Sequence, residues 1–174
     1  NDEYVLTSHF DSSGGRELRF SYNGPTCRIL DADSAEADNG KSSSTLEDVT
    51  AIMLIVNVAE YDQLLPEDKI RNRLQVGLDS FNSIANSPRF KTTPIALFLN
   101  NADELKEMLS HIPMSSFFPD YLKSPEYASD VSYVVGKFVH LSVRARNQIY
   151  VYAASETKTE VSDFLIEAVK DMVD

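Results

Sequence analysis

The chain has 174 residues, 43% of them hydrophobic and 25% charged, which is one domain's length with enough apolar material for a core. Its formal net charge of −11 repels phosphate backbones and anionic lipid, so nucleic acid is excluded as a partner, and no apolar run reaches the roughly 18 residues of a membrane span. A lone cysteine, Cys27, rules out an internal disulfide and reads as a small core residue; His9, His111 and His140 are scattered and predict no metal site.

Taken in order, the first fifty residues alternate apolar and polar. Tyr4–Phe10, Glu17–Tyr22 and Thr26–Leu30 read as three short strands, separated by turn chemistry at Asp11–Gly15 and Asn23–Pro25. This is an antiparallel hairpin region, expected at the edge of a larger sheet. Residues 31–45, rich in Asp, Ser, Ala and Gly, are expected as a mobile loop. Val49–Val58, Pro94–Leu99 and Gln148–Ala154 are apolar runs without alternation, which predicts strands covered on both faces. Between them lie helical stripes. One is expected to start at Pro66 and to align Ile70, Leu74, Leu78, Phe81 and Ile84. A second follows Pro125 with Val131, Val134, Val135 and Phe138. A third starts near Glu160 with Val161, Phe164, Leu165 and Ala168. Strands alternating with amphipathic helices predict βαβ units and an α/β fold with a mostly parallel sheet flanked by helices.

From Glu47 onward the residues resemble a known family. EDVTAIMLIVNVAEYDQLLPEDKIRNRL, PIALFLNNADEL, SSFFPDYLKSPEYASDVSYVVGKF and IYVYAASETKTEVSDFLIEAVKDMV follow, in order, blocks of the heterotrimeric G-protein α subunit's Ras-like domain. VLTSHF is similar to the strand after switch I. The resemblance implies a Ras-like P-loop NTPase fold over 1–174, N-terminally incomplete. The first strand and the phosphate loop do not occur in these residues, and the start at Asn1-Asp2-Glu3 reads as an excised domain or fragment.

A GTPase of this class needs a glycine-rich phosphate loop, Mg²⁺ ligands, a water-positioning Gln, an Arg in cis and a base-reading loop. No GxxxxGK[ST] is present. Where the family carries DVGGQ, this chain reads Asp31-Ala32-Asp33-Ser34-Ala35. The glycines are gone, Asp33 sets a carboxylate against a phosphate's place, and Ala35 cannot orient water. At ~4 Å, two like unit charges repel by about 4 kcal/mol at an effective dielectric of ~20. The family's Glu–Arg latch of the GTP state falls on Val76 and Glu36. Loss of the switch and drift under a poor alignment both remain readings of that pair.

The base-reading NKxD becomes Asn100-Asn101-Ala102-Asp103, and the family's TCAT loop aligns with Ala154-Ser155-Glu156-Thr157. The resemblance therefore implies guanine contact at Asn100, Asn101, Asp103, Ala154 and Glu156. Asp103 also reads as a helix N-cap, and the capping role is preferred here. No catalytic residue and no metal ligand is expected, and no cofactor. GTP or GDP with Mg²⁺ enters only if a divergent, nucleotide-binding α subunit extends upstream. The implied partners are signalling proteins of the Gβγ, effector or regulator kind, meeting Glu67, Arg71, Gln75, Arg89 and Phe90. The implied setting is cytoplasmic, at the inner face of the plasma membrane through partners. An unrelated α/β domain is the remaining alternative.

Overall fold

The computed structural model describes residues 5–10, 16–21, 26–31, 49–66, 69–121, 127–143 and 148–153. The chain divides into two compact units, Asn1–Glu47 and Asp48–Asp174. Each unit is described by itself.

The first unit is an antiparallel meander of β1 (Val5–Phe10), β2 (Arg16–Ser21) and β3 (Thr26–Asp31), in that order. Its registers pair Val5 with Ser21 and Phe10 with Arg16, then Arg16 with Asp31 and Ser21 with Thr26. The three alternating runs thus become three strands, as their period of two dictates. The side chain of Cys27, the expected loop over 32–45 and the helix expected near Glu160 lie outside the described residues.

The second unit is built on a parallel sheet of β4 (Ile52–Asn57), β5 (Ile95–Asn100) and β6 (Ile149–Ala153). Helix α1 (Arg73–Asn86) joins β4 to β5. Helices α2 (Ala102–His111) and α3 (Tyr127–Leu141) lie between β5 and β6. With strand order following chain order, crossovers of one hand leave their helices on one face. The core agrees: Val56, Ile95, Leu97 and Leu99 meet Leu74, Phe81 and Ala85 of α1, Leu105 of α2, and Val134 and Phe138 of α3. Phe81 and Phe138 meet edge to face, ring centres 5.4 Å apart. The α/β expectation holds.

Three expectations need correction. The first helix does not start at Pro66. Asn72, buried, caps it: its Oδ1 accepts from the Gln75 amide at 2.8 Å while the Gln75 side chain accepts from the Asn72 amide at 3.1 Å. This reciprocal box fixes the helix start at Arg73. Upstream, Leu65 N–H donates to Arg71 O and Arg73 N–H to Gln63 O, both at 2.9 Å, and Lys69 adopts a left-handed φ of 53°. Ile70 is consequently 83% exposed and belongs to no stripe.

Second, the three apolar runs are not equally covered. Ile95–Leu99 is buried throughout, whereas Ile55 of β4 is 60% exposed. The central strand has a neighbour on each side; β4 and β6 flank it in the described order. Third, α2 has no counterpart among the expected stripes. Its apolar positions, Ala102, Leu105, Met108 and Leu109, do carry helical spacing.

Candidate functional site

In an open parallel sheet, ligands bind outside the carboxyl ends of the strands. Here that edge carries Asn57 and Asn100, paired in register at the ends of β4 and β5, with Ala153 ending β6. The Asn57 side chain is spent locally. Its Oδ1 accepts from the Ala59 amide at 3.0 Å and caps the 3-10 turn Val58–Glu60. Asn100, half-buried, is the last residue of β5.

Asn101 follows in a left-handed conformation, φ 60° and ψ 38°, and is the N-cap residue of α2. Asn tolerates this region better than other non-glycine residues, because its short amide bonds locally. Nδ2 donates to Glu104 Oε2 at 3.2 Å, while Oδ1 is buried with no partner among the described residues. The expected capping role of Asp103 is therefore corrected: the cap position is one residue after β5, at Asn101, and Asp103 is exposed in the first turn of α2. There its charge, with that of Glu104, complements the helix macrodipole.

Tyr61 fastens this edge to α2. It is wholly buried, its hydroxyl donates to the Ile112 carbonyl just past the end of α2, and its ring meets Phe117 edge to face at 6.1 Å. Burial, with the Asp62 and Asp130 carboxylates adding to it, pushes its phenol up to about 12. Nearby on the chain, Asp120 accepts from Lys137 at 2.5 Å and from the Tyr133 hydroxyl at 2.8 Å. These bonds, the Lys137 one first, hold its carboxyl below the usual range.

The remaining expected residues divide as follows. Asp31 is the exposed last residue of β3, in the first unit. Ala32, Asp33, Ser34, Ala35, Glu67, Ala154 and Glu156 lie outside the described residues. Arg71 is exposed and pairs with Asp79 at 3.6 Å. Gln75, expected to face a partner, is instead held in the capping box of α1. Phe90 is only 5% exposed, so it supports its loop from beneath rather than offering a ring to a partner; Arg89 lies over it at 5.5 Å. Val76 is half-buried in the first turn of α1. Among the described residues no group of three or more His, Cys, Asp or Glu is placed to hold a metal, and no helix is long and apolar enough to cross a membrane.

Sequence reasoning missed Tyr61, Asn72 and Asn101 as organisers of this edge. Asn72 had a readable signal, an Asn followed three residues later by Gln ahead of an apolar run.

A parallel sheet with an NxxD turn at the end of its central strand is what the family blocks in the sequence imply, and a family model tests them over the whole chain. The model of the G-protein alpha subunit matches residues 1–173. The chain belongs to the G-protein alpha subunit family. The match takes in the N-terminal unit as well as the region from Glu47 that carries the resemblance, and places the fold with the Ras-like P-loop NTPases. The chain is 39% identical over 173 residues to a guanine nucleotide-binding protein subunit alpha of Cochliobolus heterostrophus, covering 99% of this chain and 49% of that protein. It is 38% identical over 173 residues to the corresponding protein of Pyricularia oryzae and to a guanine nucleotide-binding protein alpha-1 subunit of Neurospora crassa, with the same 99% and 49% coverage. The chain thus spans about half the length of the curated relatives it matches.

Proposed function

We propose that this Gα-family chain belongs to a signal-transduction protein that works as a protein-binding module, a pseudo-GTPase with weak or no guanine-nucleotide binding. One observation carries the reading: Asp31-Ala32-Asp33-Ser34-Ala35 stands where the family carries DVGGQ. A carboxylate there opposes a γ-phosphate, and alanine has no group with which to aim a water. The turn at Asn101 supports it. Its amide is tied to Glu104 at 3.2 Å, and asparagine lacks the long stem with which the family's Lys packs along a base. The partner surface is drawn from Arg71 at the approach to α1 and Arg89 after it, with Glu67 beside them in sequence. The partners are signalling proteins of the Gβγ, effector or regulator kind, in a cytoplasmic setting.

Titrating the intact protein calorimetrically with a non-hydrolysable GTP analogue and Mg²⁺ tests this. No saturable heat is expected, and binding at micromolar strength or tighter overturns the reading.

A second reading has its own support, the retained Asn100 and Asp103 and the half-length match to proteins named as guanine nucleotide-binding. In it the chain belongs to a divergent, GTP-binding α subunit whose phosphate loop lies upstream. Asp103, exposed at the sheet's carboxyl edge, suits an acceptor for a guanine edge. The phosphate and Mg²⁺ ligands would have to come from elsewhere. Ala35 then predicts tight binding with slow hydrolysis, and single-turnover GTP cleavage at an ordinary Gα rate would contradict the alignment.

A further inference from the structure

Asn86 is the last residue of α1, and its side chain is engaged at every polar position. Nδ2 donates to Asn82 Oδ1 at 2.7 Å and to the Leu141 carbonyl at 2.8 Å, while Oδ1 accepts from the Val143 amide at 3.1 Å. Leu141 is the last residue of α3, so its carbonyl is among the four that a helix leaves without an internal partner. One carboxamide therefore caps a helix 55 residues away and also holds the second residue beyond it. The two helix ends it joins lead into neighbouring strands: the segment after Asn86 enters β5, and the segment after Leu141 enters β6.

We propose that Asn86 is a conformational latch that ties the end of α3, through Leu141 and Val143, to the turn after α1. Beneath it, the Phe81–Phe138 contact fixes the distance between the helices. The latch itself sits in water, with Asn86 exposed and Val143 89% exposed. Solvent-exposed hydrogen bonds open more readily than a packed core, so the latch can release while the helices stay docked. Asn82, one turn back, orients the carboxamide so that donor and acceptor meet the right backbone groups. The turn after Asn86 runs through Pro88–Phe90, so a partner gripping Arg89 would act on the latch. That last link rests on the proposed partner surface; the latch itself does not.

Hydrogen–deuterium exchange on the intact protein tests it, comparing Asn86→Ala and Asn86→Asp with the parent. In Asn86→Ala, the Val143 amide should exchange about tenfold faster, the factor one or two net hydrogen bonds supply. Protection of Ile95–Leu99 in β5 should be unchanged. Asn86→Asp keeps the acceptor and loses the donors, so Val143 should stay protected while the Leu141 end loosens. Equal protection in all three proteins overturns the latch. So does uniform acceleration that includes β5, since Asn86 would then act on global stability alone. If Asn86→Ala fails to fold, Asn86→Asp alone decides: a Val143 amide that exchanges as in unprotected backbone overturns the proposal.

Discussion

Replacing Tyr61 with Phe isolates one hydroxyl, and its effect should depend on pH in a direction the structure fixes. The ring stays, with its edge contact to Phe117; only the donor to the Ile112 carbonyl is lost. Ile112 is half-buried, so water can reach the abandoned carbonyl in part, and the cost near neutral pH should be about 1–2 kcal/mol, toward the low end for an orphaned acceptor. The pH arm follows from the phenol's rise from 10.0 to about 12. Its folded value lies above its unfolded one, so between the two the folded state holds a proton that the unfolded state has released. The stabilisation is complete below about pH 9 and is lost as pH climbs through 10 toward 12. A rise of that size is worth on the order of 3 kcal/mol, of which about 2 kcal/mol should be gone by about pH 11.5. Urea denaturation of both proteins from about pH 8 to about pH 11.5 gives a difference curve in which other alkaline titrations cancel. The parent should lead at the low end, and the lead should shrink and then reverse as pH rises. A difference that is flat across the range would refute the assignment of the shifted phenol to Tyr61.

Three further substitutions probe the packing, the cap and the site. A Cβ added at Gly77 would meet Val56 Cγ1 at 3.0 Å; Gly77→Ala should destabilise by about 1 kcal/mol, overpacking outweighing the gain in helix propensity, and should become stabilising in a Val56→Ala background, read by a thermal double-mutant cycle. Asn72→Ala should cost about 1–2 kcal/mol and fray the first turn of α1, seen as lost amide protection at Gln75. Lys137→Met removes the first bond that holds the Asp120 carboxyl low, so the Asp120 carboxyl should titrate at higher pH by NMR; the group is exposed, so stability should barely change.

The parts of this chain that were legible are those whose pattern is global. β5 reads as a buried strand because five consecutive apolar residues, Ile95–Leu99, leave no polar face to water. The α1 stripe was visible because Leu74, Leu78 and Phe81 recur at helical spacing. What failed was local. The Pro66 start lost to a buried Asn72 three residues after a left-handed Lys69, a competition between capping and periodicity that a stripe count does not weigh. Helix α2 was hidden by its brevity and by its charged residues Asp103, Glu104, Lys106 and Glu107, all on the exposed side. At the candidate site the residue types at Asn100–Asp103 were readable, but which of them caps the helix was not, because that choice turns on the φ of a single residue, Asn101.

That φ also gives the site a decisive test. At Asn101 the chain carries Asn in the family's Lys position, and the backbone there is left-handed. A longer side chain in this region loses the local amide bonding that eases Asn into it, so Asn101→Lys should cost about 1 kcal/mol and release the Glu104 carboxylate. On the binding-module reading that cost brings nothing back, because the sequence still reads Asp33 and Ala35 where the family carries a glycine and the glutamine, and nucleotide titration of the variant should stay silent. On the divergent-GTPase reading the lysine restores a stem along the base and affinity should rise measurably. A variant that is less stable and still blind to GTP would separate a turn adapted to asparagine from a base site merely one residue short of working.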